Sequence, residues 1–206
     1  MNIEKVFDSI GLIGKKVIDI YQYFLEYFYD NPEYREFWEE IIQSEVNHLA
    51  LLNRFRGIVS SASHPACETI GRDVDYSELS SIINKYEEEI KDGVDLNRAL
   101  KIAFHFEVLE IRGIFNELIK LPQEPYFEIL SEIHLEIRRN MRRLIEGIEK
   151  FSTDPEFLKK VLELKGGIIE RRSGSDRRAG ENNYKGSDRR GIERRQGKIV
   201  KIVCKI

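Results

Sequence analysis

The chain has 206 residues and a formal net charge of −3, with 33 lysines and arginines against 36 aspartates and glutamates. Its composition, 41% hydrophobic and 33% charged with five prolines, excludes a collagenous, disulfide-dense or wholly disordered protein. No run reaches the roughly 18 uninterrupted apolar residues of a membrane span, and the N-terminal residues lack the apolar core of a signal peptide. We therefore expect a cytoplasmic globular protein in which Cys67 and Cys204 are reduced thiols.

Residues 3–28 have the periodicity of a helix, with an apolar stripe along one face. The stripe consists of Ile10, Gly14, Val17, Tyr21, Phe24 and Phe28. Asp30 and Asn31 end this helix, and Pro32 suits the first turn of the next one. Because so few residues separate the two helices, we expect them to form an antiparallel hairpin.

The second helix has an apolar stripe that contains a carboxylate and an imidazole at its middle. The stripe consists of Tyr34, Trp38, Ile41, Glu45, His48, Leu52 and Phe55. Residues 57–75 are rich in serine, glycine and aspartate, which predicts a long connection that contains His64 and Cys67. A shorter, strongly charged helix is predicted from about Tyr76 to Asp92.

Two more long helices are predicted, and Asp95 is suited to cap the start of the first of them. Its stripe consists of Leu96, Leu100, Ala103, Glu107, Glu110, Ile114 and Leu118. After prolines at 122 and 125, the last helix runs to about Lys150. Its stripe consists of Phe127, Ser131, His134, Arg138, Met141, Ile145 and Ile148. Two hairpins joined by a long crossover predict an all-α fold for residues 1–150, a four-helix bundle of the ferritin-like kind.

Beyond the bundle we expect a short helical extension or linker over residues 151–167, followed by a basic tail. Residues 168–206 hold 12 lysines and arginines and 5 acids, a surplus of +7, so the rest of the chain carries −10. An acid followed by two arginines recurs from Glu170, Asp176, Asp188 and Glu193. Few apolar residues interrupt these repeats, which predicts a disordered tail. Residues 198–206 are β-branched and predict a short terminal strand.

The arginine-rich tail has two interpretations. Its positive charge suits association with an anionic partner, such as RNA, DNA, an anionic surface or an acidic protein. Each arginine pair also has an acid beside it, so the tail could fold back on the acidic body or pair with a second tail.

Polar side chains interrupt the apolar stripes of three of the long helices. They are Glu45, His48, Glu107, Glu110 and His134. Residues equidistant from a hairpin turn lie side by side, so turns near residues 30 and 122 place all five at the middle of the bundle. Buried carboxylates and imidazoles need partners, and together they suit iron, manganese or zinc. Glu45 and His48, three residues apart, share one face of a helix, as in di-iron carboxylate bundles.

These segments resemble the rubrerythrin branch of the ferritin-like superfamily over residues 5–148. The resemblance rests on Tyr21-Gln22-Tyr23-Phe24, Glu45-Val46-Asn47-His48, Ala103-Phe104-His105-Phe106-Glu107-Val108-Leu109-Glu110 and His134. It implies an iron site, a di-iron centre in the complete form, with manganese or zinc as alternatives.

The resemblance also implies a role for each of the five residues. Glu45 would bridge or chelate the metal, His48 and His134 would be terminal ligands, and Glu107 and Glu110 would be the third-helix carboxylates. The implied activity is that of an oxidoreductase acting on peroxide, oxygen or ferrous iron. Paired Cys-x-x-Cys motifs are absent from the sequence, so an enzyme of this kind would need an external electron donor. Bundles of this class often dimerise, which leaves a homodimer open.

Two carboxylates of the family pattern are missing from the sequence. The family has a glutamate on the first helix near the level of Gly14, and another three or four residues before the last histidine, where this chain has Leu130 and Ser131. Glu132 is close by but is rotated by about 100° from Ser131. A two-metal site, a single-metal site and a metal-free centre therefore all stay open.

In the metal-free alternative, ion pairs would replace the metal charge. Arg138 would face Glu107, and Lys15 or Lys16 would lie near Glu45. The chain would then be a non-enzymatic scaffold that binds a partner through its tail.

Overall fold

The computed structural model describes residues 3–61, 76–111, 113, 118 and 123–168, and the regular secondary structure in these ranges is helical. The helices are α1 (Ile3–Tyr27), α2 (Pro32–Ser61), α3 (Tyr76–Ile90), α4 (Leu96–Glu110), α5 (Gln123–Phe151) and α6 (Pro155–Ile168). This confirms the all-α class. Among the described helices, none combines the length and the apolar character needed to cross a membrane.

Several predictions made from the sequence concern residues that the structure does not describe. They concern residues 62–75, which contain His64 and Cys67, the arginine-rich tail after Ile168, and its terminal strand, whereas residues 57–61 of the predicted connection belong to α2. These predictions lie outside the described residues and stay predictions.

The helices α1 and α2 form the predicted hairpin, and Asn31 caps the start of α2. The side-chain oxygen of Asn31 accepts hydrogen bonds from the backbone N–H groups of Glu33, at 3.0 Å, and Tyr34, at 3.4 Å. The hairpin is held together by aromatic packing, in which the Trp38 ring lies 4.9 Å from the Phe24 ring and 5.9 Å from the Tyr21 ring, measured between centroids. These rings are fully buried, so the core reaches the end of the hairpin near its turn.

A short turn joins α3 to α4. Gly93 has a φ of +99°, a conformation that glycine adopts without strain at the end of a helix. The side chain of Asp95 accepts a hydrogen bond from the backbone N–H of Arg98 at 3.0 Å, which confirms the predicted cap. Tyr23 on α1 donates to the Ile90 carbonyl at 2.7 Å and thereby fixes the end of α3 against α1.

Helical geometry is described beyond Glu110, at Ile111, Gly113 and Leu118, within the stretch that the apolar pattern predicted. The α-helical hydrogen bonding ends at Glu110, and Ile111 and Gly113 belong to a wider, π-helical turn. Leu118, the last residue of the predicted stripe, is buried. Turns of this kind are frequent at functional sites.

The helix α5 packs against α2, α4 and α6. Its predicted stripe was wrong in part, because Phe127, Ser131 and Arg138 are only half buried. The buried residues at the middle of α5 include Ile133, Ile137, Asn140, Met141 and Leu144, of which the last three are fully buried. The face of α5 that meets the core is therefore rotated from the one predicted, and it brings Asn140 inside. The α6 helix covers this layer, with the Phe157 ring 5.6 Å from the Phe104 ring.

Candidate metal centre

Three of the five predicted ligands meet between α2 and α4. Each of Glu45, His48 and Glu110 offers a ligand atom, and these atoms lie within 4.8 Å of one another. Glu45 and His48 are 3% and 4% exposed, and the Glu110 side chain is 21% exposed. The three-residue spacing on α2 places Glu45 and His48 on the buried face, and α4 adds Glu110 from the opposite side.

The His48 ring lies between two carboxylates without a hydrogen bond to either. Its Nδ1 atom is 3.5 Å from Glu45 Oε1 and 3.5 Å from Glu110 Oε2, beyond the range of an ordinary N–H···O bond. Within the described part of the chain, neither ring nitrogen of His48 has a hydrogen-bond partner. Ligand atoms on a tetrahedral ion at about 2.1 Å lie about 3.4 Å apart, so these spacings fit two edges of a metal site.

Glu107 is connected to this group through Asn140 on α5. The Asn140 amide nitrogen donates to Glu45 Oε1 at 2.8 Å and to Glu107 Oε1 at 2.8 Å. Both glutamates and the asparagine are buried. Among the described residues, Glu107 Oε2 and Asn140 Oδ1 have no hydrogen-bond partner. Three helices thus meet in one polar network, in which the asparagine is the shared donor.

The charged groups in this network shift one another's pKa values. Burial raises the pKa of Glu107 well above its usual value, and Glu45 and Glu110 raise it further. Burial also acts to raise the pKa of Glu45, but His48 and the hydrogen bonds outweigh it, so the pKa of Glu45 is lowered. Burial acts to lower the pKa of His48, but Glu110 and Glu45 prevail and raise that pKa well above its usual value. The two carboxylates therefore favour the protonated form of His48, and a metal ion would displace that proton.

His134 is buried on α5, at 9% exposure, but it does not belong to the three-residue group. Asn140 is the α5 residue bonded to both glutamates, and His134 precedes it by six residues, about 9 Å along a helix. Counting residues from the turn near residue 122 had placed His134 level with Glu110. The role of His134 as a ligand stays a prediction.

The lysine predicted to neutralise Glu45 lies elsewhere. Lys16 donates to Asn84 at 2.8 Å and pairs with Glu87 at 3.0 Å, both on α3, and Lys15 is exposed. The predicted ion pair of either lysine with Glu45 is therefore wrong. Glu107 takes its hydrogen bond from Asn140, two residues beyond the Arg138 that was predicted to face it.

A small cavity adjoins the site at the level of Gly14. Its volume is about 40 Å³, against the roughly 10–15 Å³ that one water molecule needs. Apart from glutamates 45, 107 and 110, its lining is apolar. A Cβ atom at Gly14 would lie 2.5 Å from Leu49 Cδ2, so a larger residue there would require Leu49 to move. Where the family pattern has a first-helix carboxylate, this chain has a small apolar cavity.

One histidine and one glutamate lie away from the centre, and for the glutamate its rotation on the helix predicted this. The Tyr86 hydroxyl lies 2.7 Å from His105 Nδ1, at the contact between α3 and α4. Glu132 is on the surface and pairs with Arg54 at 2.5 Å. These residues serve as controls for substitutions in the centre.

Reasoning from the sequence missed two residues of the site. Asn140 was missed, although its spacing from Ile137 and Leu144 follows a helical stripe. Tyr21 was read as core packing, and it is fully buried, with its hydroxyl donating to the Ala103 carbonyl at 3.4 Å. Burial raises the pKa of Tyr21 well above its usual value, and Glu107 raises it further. Tyr21 therefore stays neutral beside the carboxylates.

Comparison with protein-family models, curated proteins and solved structures gave no match. The resemblance to rubrerythrins therefore rests on the segments of the sequence quoted above. Any function has to be argued from the geometry of the centre itself.

Proposed function

We propose that this chain binds a divalent transition-metal ion through Glu45, His48 and Glu110. The observation that supports this most strongly is the position of the His48 ring, whose nitrogens have no hydrogen-bond partner among the described residues and whose Nδ1 lies 3.5 Å from two carboxylate oxygens. A buried imidazole in this state is costly unless something else occupies the gap. One imidazole and two carboxylates are a common donor set for iron, manganese and zinc. The resemblance stated above favours iron.

The proposal includes a ferritin-like four-helix bundle made of α1, α2, α4 and α5. It is supported by the packing of α1 on α2, of α2 on α5 and of α4 on α5. In this arrangement α3 belongs to the crossover between the two hairpins. The ligands then come from the middle of the bundle, where a surrounding core holds their helices in place.

An iron ion at this centre would supply redox chemistry, and the chain would then be an oxidoreductase acting on peroxide, oxygen or ferrous iron with an external electron donor. The residues of this chain would hold the ion and limit its access to water. The apolar cavity beside Glu45 has room for a small molecule. Glu107, whose pKa is raised by burial, would hold a proton next to it.

Equilibrium dialysis of the purified protein against Zn²⁺, Mn²⁺ and anaerobic Fe²⁺ tests the proposal. We expect the wild type to bind metal and His48→Gln to lose it. The matched control is His105→Gln, which removes an imidazole from the same bundle outside the centre and should bind metal as the wild type does. Equal binding by wild type and His48→Gln, with both folded by circular dichroism, would refute metal binding at this centre. Oxidation of the ferrous form by peroxide would then test the enzyme activity separately.

The alternative is a non-enzymatic scaffold that binds a partner through its arginine-rich tail. The repeats of an acid followed by two arginines favour it. Deleting residues 169–206 should then abolish partner binding and leave the helicity and thermal stability nearly unchanged. A large loss of stability would show instead that the tail is part of the fold.

A further inference from the structure

We infer that the amide of Asn140 occupies the place between Glu45 and Glu107 where a second ion would bind, so the centre takes one metal ion per chain. This inference rests on the proposed function. It concerns the number of ions and the residues that hold them.

The position of the amide nitrogen carries the argument. An asparagine amide has two N–H hydrogens, and here the nitrogen lies 2.8 Å from Glu45 Oε1 and 2.8 Å from Glu107 Oε1. The two oxygens are therefore no farther apart than twice 2.8 Å. An ion that joined Glu45 Oε1 to Glu107 Oε1 would lie between the same two atoms, at about 2.0–2.2 Å from each. The amide and the ion exclude each other.

The orientation of the amide follows from its partners. With the nitrogen and oxygen exchanged, the carbonyl could accept a hydrogen bond only from a protonated carboxyl group, whereas the nitrogen donates to both glutamates. Asn140 is completely buried, so its side chain has no solvent-exposed alternative. Its Oδ1 atom has no partner among the described residues, so the hydrogen bonds of this side chain to the described residues are those of its nitrogen.

The surroundings of Glu107 also lack further ligands. On the side toward α1, the described residues that line the cavity are apolar apart from glutamates 45, 107 and 110. The one further carboxylate in this lining, Glu110, belongs to the group beside His48, so among the described residues an ion between Glu45 and Glu107 would have no third ligand of its own. Beside His48, by contrast, the ligand atoms of Glu45, His48 and Glu110 lie within 4.8 Å of one another. Glu107 is therefore a positioning residue, which holds Asn140 and, through it, Glu45.

The test is a titration with Mn²⁺ alone, read by metal content and by electron paramagnetic resonance, which distinguishes an isolated ion from a coupled pair. We expect the wild type to bind one ion with the spectrum of an isolated Mn²⁺. Glu107→Gln can still accept the Asn140 hydrogen bond, so it should keep one ion and lose affinity by less than about tenfold. Glu110→Gln should lose about 100-fold or more. Asn140→Asp, which replaces the amide with a carboxylate of the same shape, should gain a second, coupled ion.

Two ions in the wild type would overturn the inference and leave the proposed function standing, as would a loss of more than about 100-fold in Glu107→Gln. A folded Asn140→Asp variant that still binds one ion would overturn it too. If that variant does not fold, the Glu107→Gln result decides. Absence of any Mn²⁺ binding in the wild type would overturn both the inference and the proposed function.

Discussion

The Nδ1 atom of His48 on α2 lies 3.5 Å from Glu110 Oε2 on α4, and this contact links the two helices at the centre. The separation is too long for a hydrogen bond and too short for an intervening water. Glu110 is the most exposed of the three proposed ligands, at 21%, so its side chain has the most freedom to adjust. We therefore assign to Glu110 the role of closing the site around an ion.

Glu110→Gln should lower metal affinity by about 100-fold or more, because an amide is a poorer ligand than a carboxylate and lacks its charge. Competition titration with a chelating dye measures the change. Glu132→Gln is the matched control, since Glu132 pairs with Arg54 on the surface. Equal loss in both variants would show that the effect is one of overall charge.

Metal should stabilise the folded protein and do so through His48. At a free metal concentration of 100 times Kd, the gain in the free energy of unfolding is about 2.7 kcal/mol, which for a domain of this size raises Tm by about 5–10 °C. In His48→Gln the shift should vanish. Calorimetry with and without Zn²⁺ gives both values, and an undiminished shift in the variant would place the metal elsewhere.

The stability of the metal-free protein should fall as pH rises. Burial raises the pKa of Glu107 in the folded state, so ionising it costs stability as pH rises from the unfolded value, about 4.3, through the raised one. The raised pKa of His48 acts in the same direction, because its stabilising charge is complete below about pH 6.5 and is lost as pH rises through the folded value. Glu107→Gln should reduce the loss of stability.

Urea unfolding in the presence of a chelator, from about pH 5 to pH 9, measures this dependence. The comparison is between the pH slopes of wild type and Glu107→Gln. Identical slopes would mean that Glu107 does not titrate in this range.

Alanine substitutions at two glycines should change the stability of the fold in opposite directions. A Cβ at Gly147 would lie 2.1 Å from Phe37 Cε2, so Gly147→Ala should destabilise the fold by about 1–3 kcal/mol through overpacking. At Gly11 no described atom lies within 4 Å of the added Cβ, so Gly11→Ala should stabilise α1 by about 0.5–1 kcal/mol. Urea unfolding of both variants checks this. A stabilised Gly147→Ala would show that α5 and Phe37 separate easily.

The parts of the fold that could be predicted from the sequence are those set by local chemistry. Asp95 was predicted as a cap because a carboxylate there precedes a helical pattern, and the structure confirms it. Glu45 and His48 were predicted to share a buried face because their spacing leaves no other arrangement on a helix, and both are buried.

The contact of Asn140 could not be predicted in the same way. The apolar residues of α5 cover a wide stripe, and both His134 and Asn140 lie within the part that is buried. Counting residues from a hairpin turn fixes the level of a residue only to within about one helical turn, because the path of the chain between α4 and α5 cannot be read from the sequence. Packing against α2 and α4 decides which polar residue meets the glutamates.

The most direct test of the central claim is a crystal structure of the Zn²⁺-loaded protein with anomalous scattering measured at the zinc edge. The account predicts one anomalous peak in the bundle, about 2.0–2.2 Å from a ring nitrogen of His48 and from oxygens of Glu45 and Glu110. A loaded crystal with no peak at His48, or with the zinc held only by other residues, would contradict it.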